Sequence, residues 1–562
     1  MPSRREFLTV LIPGAVAANV WAQTKRPPNV ILVMTDDQGS PDLGVHGNTQ
    51  LRTPHIDRLA KQSVEFTNFL VAPLCAPTRA SLMTGRYYYR TGVTDTYKGQ
   101  AVMDPRERTV AEMFRENGYA TGIFGKWHLG DCYPTRPIDK GFSEALVHLG
   151  GGLRQPSAPE GGGDYFDPML LRNGQWERAK GYCTDIFANE TIAFIERHRT
   201  RPFFAYLPTN SPHDPYLVDK KYSQPYAEKG LPEKVANIYG MIENIDDNVG
   251  RILQKLDDLK LAENTIFIFM TDNGATNAHY TAGLRGLKSS VYEGGIRSPF
   301  FWRGPGAGRP GKVDRMAAMI DVTPTLLDVC GIAPKVPFDG KSLKPLLQKP
   351  DAPWTDRKIF IQIHRGNAPD LYRNFCVRTQ QWKLLHAVPI GQPSGKEIRL
   401  ELYDLKNDPG EQKNLILLKP EIAAQLKASY EAWFADVTST RGFAPVRFIA
   451  GTRHENPLAL NRQDWRGPQA EWNQPNAIGH WEIAIAGKGL YDVELRFPPF
   501  AVEAEAEVRL GTVAKKVKIP VGAGKCTAVG LEPEPGPVKV ETILTGGGVV
   551  RGAHYVDILW RP

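Results

Sequence analysis

The sequence predicts an α/β fold with a mainly parallel central sheet, followed by a smaller α+β subdomain and a terminal β domain. Two continuous apolar runs, residues 29–34 and 265–270, are typical of strands that are buried on both faces. Helical patterns lie between these runs, at residues 54–61, 109–117 and 235–259. Because strands and helices alternate here, we assign residues 28–350 to an α/β domain.

The predicted pattern of strands and helices changes after residue 350. Short strand patterns followed by one helical pattern predict an α+β subdomain over residues 351–440. The strands are expected at residues 359–364, 375–379 and 382–386, and the helix at residues 419–437.

The last part of the chain, residues 446–562, predicts an accessory β-sandwich-like domain. The chain looks irregular from residue 441 to residue 479, and alternating stretches with glycine and proline between them then recur. These stretches are residues 481–485, 490–497, 504–510, 538–544 and 555–560. Since every motif with chemical character lies before Ser298, we expect this domain to support the activity without contributing a catalytic residue.

Length and composition are those of a multidomain globular protein. The chain has 562 residues, of which 41% are hydrophobic and 23% charged, which excludes a disordered chain and a small disulfide-stapled scaffold. The 69 Lys and Arg against 61 Asp and Glu give a net charge of +8. No block of like charges indicates nucleic-acid binding. Six cysteines form no C-x-x-C pair, so we expect any important cysteine to act alone.

Residues 1–22 resemble an export signal. Arg4 and Arg5 precede a short apolar stretch, residues 7–20, and a small-residue cleavage motif follows. The start of this segment, residues 3–8, also resembles the bacterial twin-arginine signal. No later run reaches about 18 uncharged apolar residues. We therefore expect a bacterial protein exported to the periplasm or the medium, with no membrane span in its mature chain.

Each of the two apolar runs is followed by a similar acidic motif. Asp36 and Asp37 follow the first run, and Asp272 and Asn273 follow the second. Because ligands bind at the carboxyl ends of strands in open α/β sheets, we expect these four side chains to meet. Such an all-oxygen set suits a hard cation, Ca²⁺ or Mg²⁺, better than zinc. The alternative is turn chemistry, since Asp and Asn before Gly are common at turns.

Cys75 begins another motif, Cys75-x-Pro77-Thr78-Arg79. If a helix begins near Cys75, Pro77 lies in the first turn, where its missing N–H costs nothing, and Arg79 falls on the same face. The helix N-terminus and the guanidinium would both favour an anion there. The residues alone therefore leave two possibilities, a thiolate nucleophile and a buried packing cysteine, and Arg79 favours the first.

Together with Thr84-Gly85-Arg86, this motif resembles the signature of the type I sulfatases in the alkaline phosphatase superfamily. Thr78 stands where many members have Ser, which the Cys, Pro and Arg of the motif should tolerate. Further motifs appear in the order of the family: Gly125-Lys126-Trp127-His128-Leu129-Gly130, Ser211-Pro212-His213-Asp214-Pro215, Thr271-Asp272-Asn273-Gly274, Gly286-Leu287-Lys288 and Tyr292-Glu293-Gly294-Gly295. The resemblance covers roughly residues 28–434 and implies an alkaline-phosphatase-like α/β sandwich.

The resemblance implies an arylsulfatase-like sulfuric ester hydrolase that acts on a sulfated small molecule or carbohydrate. In this family a formylglycine-generating maturation enzyme oxidises the cysteine, here Cys75, to Cα-formylglycine, whose hydrated aldehyde attacks sulfur. The metal would be Ca²⁺, or alternatively Mg²⁺. Its implied ligands are Asp36, Asp37, Asp272, Asn273 and the converted Cys75.

The resemblance also implies roles for five further side chains. Arg79 and Lys126 would stabilise the hydrated aldehyde, and Lys126 and Lys288 would neutralise the charge that builds on the sulfate. His128 would take the proton whose loss expels sulfate. His213 would bind the sulfate and, with Lys288, help to protonate the leaving oxygen.

Two other functions remain open at the level of the sequence. One is a phosphodiesterase or phosphonate monoester hydrolase of the same superfamily, since some of these use the same converted cysteine. The other is a catalytically inactive sulfate-binding relative. His213 and Lys288 favour a sulfatase, and the complete set of polar residues disfavours an inactive protein. Three stretches are expected to select the substrate: residues 133–175, 216–232 and 364–373. They contain no motif that identifies it.

Overall fold

The computed structural model describes residues 26–159, 161–366, 368–390, 392 and 397–562. The predicted export signal, residues 1–22, lies outside these ranges. Within them, no helix has the length and apolar character needed to cross a membrane.

A mixed sheet of ten strands forms the centre of the N-terminal part. In spatial order its strands are Gly311–Val313, Val64–Phe66, Phe300–Arg303, Thr265–Thr271, Asn29–Thr35, Phe203–Pro208, Ala120–Lys126, Glu144–His148, Met169–Arg172 and Gln175–Arg178. Five consecutive strands, from Thr265–Thr271 to Glu144–His148, run parallel. Along Asn29–Thr35, alternate side chains enter two different hydrophobic cores. Burial on both faces is the reason why this strand is a continuous apolar run.

Helices cover both faces of this sheet. One layer contains Pro54–Lys61, Cys183–Arg197 and Glu233–Asp258, and the other contains Cys75–Thr84, Val110–Glu116 and Val322–Val329. The other helices are Lys220–Ala227, Glu293–Ile296, Lys344–Gln348 and Pro420–Ser439, and short 3₁₀ turns span Gly44–His46, Tyr88–Thr91, Ala262–Asn264, Met319–Asp321 and Arg462–Asp464. The predicted α/β sandwich is confirmed, including its three predicted helices. One of them starts at a capping box, in which Thr109 and Glu112 each accept the other's backbone N–H.

A second, antiparallel sheet follows the sandwich. Its strands are Ile359–Gln362, Phe375–Arg378, Trp382–His386 and Glu401–Asp404. Helix Pro420–Ser439 packs on it, with the Tyr430 ring 3.8 Å from that of Phe375 between centroids. Their apolar side chains belong to the same core as one face of the large sheet. A small sheet of Arg297–Ser298, Phe69–Leu70 and Ala317–Ala318 lies in the N-terminal part.

The terminal region forms two packed β-sheets with a core of their own. One contains Phe448–Ala450, His480–Ile485, Gly536–Gly546, Ala504–Leu510 and Val513–Ile519, with Val549–Arg551 beside Gly536–Gly546. The other contains Leu458–Asn461, Tyr555–Arg561, Leu490–Arg496 and Lys525–Leu531.

The expectation of an irregular chain between residues 441 and 479 is wrong in part. Two short strands, Phe448–Ala450 and Leu458–Asn461, lie there. The second pairs with Tyr555–Arg561, nearly one hundred positions away. This strand therefore forms through non-local pairing, which a local sequence pattern does not predict. Two further strands, Val513–Ile519 and Lys525–Leu531, were not predicted, because many of their side chains are exposed.

Candidate active site

The two acidic motifs lie next to each other at the ends of neighbouring parallel strands. Asn29–Thr35 and Thr265–Thr271 pair in register along their whole length. The Asp37 N–H donates to Asp272 Oδ1 at 3.2 Å, and Asn273 Nδ2 donates to Asp37 Oδ1 at 2.8 Å. All four predicted ligands, Asp36, Asp37, Asp272 and Asn273, are buried.

This cluster has the chemistry of a cation site. Asp36, Asp272 and Cys75 each offer an atom, and these atoms lie within 4.8 Å of one another. Asp36 Oδ1 and Asn273 Oδ1 are buried and accept no hydrogen bond among the described residues. Burial raises the pKa of Asp36 well above its usual range, against the opposing effect of Lys126. Because a divalent cation would satisfy the orphaned oxygens and favour the ionised carboxylate, the residues fit a hard metal ion.

Three cationic side chains surround the carboxylates. The closest N to O distances are 2.7 Å for Arg79 with Asp272, 2.7 Å for Lys126 with Asp36 and 2.6 Å for Lys288 with Asp37. Three positive and three negative charges cancel, so a divalent cation would leave the site with a net positive charge. Such a site favours an anionic ligand.

Cys75 is the first residue of the helix Cys75–Thr84, as predicted. Burial raises the pKa of its thiol, although Lys126 and Lys288 oppose this effect. The unmodified side chain is therefore a neutral thiol at pH 7, which disfavours the thiolate nucleophile. Thr78 uses the hydroxyl that Thr and Ser share, accepting from Ala72 N–H and donating to Ala72 O.

His128 follows the strand Ala120–Lys126 and has a positive φ of 59°. Its Nε2 lies 2.7 Å from Thr96 O. Because a carbonyl only accepts, Nε2 carries the hydrogen and Nδ1 keeps its lone pair. Nδ1 is buried with no partner among the described residues. Burial, with a contribution from Lys126, lowers the pKa of His128 well below its usual range, so the ring is a neutral base with one free nitrogen.

His213 lies beside the Asp37 carboxylate. Its Nδ1 is 2.8 Å from Asp214 O, and its Nε2 is 3.6 Å from Asp37 Oδ2. Burial lowers the pKa of His213, although Asp37 opposes the change. The ring is thus held at Nδ1, with Nε2 directed to the cluster.

The first part of the glycine-rich segment, residues 150–163, covers the site and is buried. Gly151 and Gly152 are buried over the two histidines. A Cβ at Gly151 would lie 2.9 Å from His128 Cε1, and a Cβ at Gly152 would lie 2.7 Å from His213 Cε1. Glycine is needed here because the backbone packs directly on both rings.

These residues line a cavity of about 340 Å³. Cys75, His128, His213 and Lys288 face it, while Arg79 and Lys126 lie fully buried beside it. One wall comes from the terminal region and consists of Gln463, Glu471, Trp472 and Asn473. The terminal region thus lines the pocket, although none of the ten predicted site residues belongs to it. No periodic signal marks the segment 463–473, and its two tryptophans, Trp465 and Trp472, are the one clue in the sequence.

All ten sequence-predicted site residues come together in this arrangement. An acidic cluster suited to a cation, with Cys75 and two histidines beside it at the carboxyl ends of the parallel strands, fits a hydrolase of anionic esters.

Comparisons with known proteins give the family. The family model described as Sulfatase matches residues 28–332, and the model described as N-sulphoglucosamine sulphohydrolase, C-terminal, matches residues 287–433. N-acetylgalactosamine-6-sulfatase of Canis lupus familiaris is 33% identical over 397 residues, covering 64% of this chain and 72% of the relative. Arylsulfatase A of Homo sapiens is 32% identical over 467 residues, covering 74% and 87%. The crystal structure of Ps i-CgsB in complex with k-i-k-neocarrahexaose superposes with a TM-score of 0.66 at 27% identity, covering 74% and 95%.

The chain belongs to the sulfatase family, in the alkaline phosphatase superfamily. It is a sulfuric ester hydrolase. The sulfatase is thus favoured over the phosphodiesterase and over the inactive relative. Membership implies a metal ion and a formylglycine, and the carboxylate cluster beside Cys75 fits the metal. The residues after 433 lie outside both family models.

Proposed function

We propose that this enzyme hydrolyses sulfate esters of carbohydrates, using formylglycine at position 75 and Ca²⁺. The observation that carries the proposal is the buried cluster in which ligand atoms of Asp36, Cys75 and Asp272 lie within 4.8 Å of one another. It sits below a cavity large enough for more than a sulfate group, about 340 Å³.

Asp36, Asp37, Asp272 and Asn273 would hold the metal with oxygen atoms alone. Ca²⁺ accepts six to eight oxygen ligands in flexible geometry, whereas Mg²⁺, the alternative, demands a tighter octahedron. When bound, the metal would polarise a sulfate oxygen and favour the attack on sulfur.

The Cys75-x-Pro77-x-Arg79 core supports conversion of Cys75 by a formylglycine-generating maturation enzyme. The hydrated aldehyde would supply one hydroxyl to attack sulfur and a second through which sulfate is released. A buried thiol with a raised pKa supplies neither group.

The surrounding side chains would stabilise the developing charge and transfer protons. Lys126 and Lys288 would neutralise the sulfate as charge builds on it. Arg79 donates Nη1 to Lys126 O at 3.0 Å and would fix both the lysine strand end and Asp272. The free Nδ1 of His128 would accept the proton whose loss releases sulfate. His213 would act with Lys288 on the leaving oxygen.

The carbohydrate substrate is supported by two relatives. One is named N-acetylgalactosamine-6-sulfatase, and the structure of another holds k-i-k-neocarrahexaose. The signal-like residues 1–22 support export to the periplasm or the medium, where sulfated polymer fragments are met. We propose residues 28–350 as the catalytic domain, residues 351–440 as its subdomain and residues 446–562 as the added β domain.

The test combines three measurements on active protein. Peptide mass spectrometry should find formylglycine at position 75, and metal analysis should find stoichiometric calcium. Turnover of 4-nitrocatechol sulfate should exceed turnover of an aryl phosphodiester. A fully active preparation with only the unmodified thiol would overturn the nucleophile, and stoichiometric zinc without a hard cation would overturn the ligand assignment.

A further inference from the structure

A second cavity of about 510 Å³ adjoins the cavity above Cys75. Tyr97, Arg365 and Glu471 line both of them. The second cavity contains none of the residues assigned to the chemistry, so it provides room beyond the sulfated group. The terminal region lines this second cavity as well, through Gly467, Pro468 and Glu471.

This wall is fixed to the catalytic part by polar contacts. Gln463 Nε2 donates to Thr96 O at 3.1 Å, the same carbonyl that holds His128. Glu471 forms an ion pair with Lys98. The terminal segment therefore has a defined position relative to Cys75. A segment that selects the substrate must be held in place in this way.

The charges along this space are already paired. Arg365 lies 2.5 Å from the buried carboxylate of Asp95, and Lys98 is paired with Glu471. Both cations also lie over the Tyr97 ring, at 4.6 Å and 5.3 Å from its centroid. Little excess charge remains to attract a polyanion, and fixed polar groups remain to recognise an uncharged polar ligand.

Two groups in the wall have no partner. The half-buried indole of Trp472 makes no ring contact, cation contact or side-chain hydrogen bond among the described residues. Trp465 and Trp481 differ, because they pack 5.6 Å apart in the terminal core. Gln463 is only 3% exposed, and its Oε1 accepts no hydrogen bond among the described residues. A half-buried indole with no ring partner and an unused amide acceptor in the same cavity wall fit a sugar ring, which has an apolar face and hydroxyl donors.

We propose that this space binds the sugar next to the sulfated one. We name it the Trp472 groove. It is the side of the cavity above Cys75 that borders the second cavity, and it is lined by Tyr97, Arg365, Gln463, Glu471, Trp472 and Asn473. Trp472 stacks on the ring of the neighbouring sugar, and Gln463 accepts from one of its hydroxyls. The inference rests on the proposed carbohydrate substrate. It makes the terminal β domain a direct part of substrate recognition and the preferred substrate an oligosaccharide.

The test compares sulfated monosaccharides with oligosaccharides that carry the same sulfate ester on one sugar next to an uncharged sugar. For the pair with the highest turnover, kcat/KM should be higher for the oligosaccharide. Trp472→Ala should lower that value about tenfold more than it lowers kcat/KM for the monosaccharide. Trp472→Phe keeps an aromatic face and should recover most of the loss. Leu559→Ala, 40% exposed in the same domain, is the matched control and should leave both values unchanged.

The outcomes separate the groove from the underlying activity. Equal losses on both substrate lengths, or a wild type with no length preference, would overturn the groove and leave the sulfatase in place. Hydrolysis of 4-nitrocatechol sulfate with no saccharide turned over would overturn the sugar as its occupant. Failure to release sulfate from any substrate would instead refute the proposed function. If Trp472→Ala does not fold, the exposed Asn473→Ala serves as the second variant with the same expectation.

Discussion

Lys288 offers the sharpest test of the charge arrangement in the site. Its Nζ lies 2.6 Å from Asp37 Oδ1, and its side chain is 16% exposed while that of Asp37 is fully buried. Burial opposes both charges, yet their attraction raises the pKa of Lys288 and lowers that of Asp37. The ammonium therefore stays charged across any practical assay pH. Lys288 also lies outside the Cys75 motif, so its substitution should not disturb conversion of Cys75.

Lys288→Ala removes one full positive charge from the cavity wall beside Cys75. At an effective dielectric constant of about 20, a unit charge about 4 Å from a developing negative charge contributes about 4 kcal/mol. Removing one preorganised donor from an oxyanion site costs about 10²- to 10³-fold in kcat. We therefore expect kcat to fall about 10²- to 10³-fold. Because Lys288 and His213 would share protonation of the leaving oxygen, the loss should be greater for an alkyl sulfate than for a nitrophenyl sulfate.

The assay measures kcat for a series of sulfate esters with leaving groups of increasing basicity. Formylglycine and metal content are quantified for each preparation, so that only matured enzyme is compared. Lys288→Arg keeps the charge and should recover part of the rate. Lys312→Ala, at a side chain that is 70% exposed, is the matched surface control. A loss below about threefold, or a loss independent of the leaving group at full formylglycine occupancy, would refute the assigned role.

Four further predictions concern other parts of the molecule. Cys75→Ala should abolish turnover and leave thermal unfolding unchanged, as differential scanning fluorimetry would check. Asp272→Asn should lose bound metal together with activity, and elemental analysis showing retained metal would count against its role. Lys383 lies 3.0 Å and 2.8 Å from two buried glutamates, so Lys383→Met should destabilise the fold by about 3–5 kcal/mol, seen as a lower denaturation midpoint. Burial raises the pKa of Glu455 to about 7, above its unfolded value of about 4.3. Its stabilising contribution is therefore lost as the pH rises through 7, and Glu455→Gln should flatten the fall in Tm between about pH 5 and pH 8.

The catalytic centre was predictable because its parts are short and local. Each acidic motif directly follows an apolar run. The parallel register of Asn29–Thr35 with Thr265–Thr271 then brings the two motifs together. The helix at Cys75 was predictable for the same reason, since Pro77 and Arg79 lie within one or two turns of its start.

The covering of the site was not predictable from local patterns. Gly151 and Gly152 pack on two histidine rings that lie at distant positions in the chain. A run of glycine has the same local signature in a solvent-exposed loop, so the sequence does not distinguish the two cases. The segment 463–473 likewise has no period that would mark a helix or a strand. Its place is set by Thr96 and Lys98, more than 360 positions earlier.

The contacts of the terminal region argue against a removable module. Val102 and Cys132 of the N-terminal part belong to the hydrophobic core of the terminal sandwich. Removing residues 446–562 would expose these apolar side chains to water, which costs free energy. It would also leave Thr96 O with only the His128 bond and would open one wall of the pocket. Because the Thr96 carbonyl accepts from both His128 and Gln463, the proposed proton transfer at His128 and the proposed recognition of the neighbouring sugar would depend on one shared support.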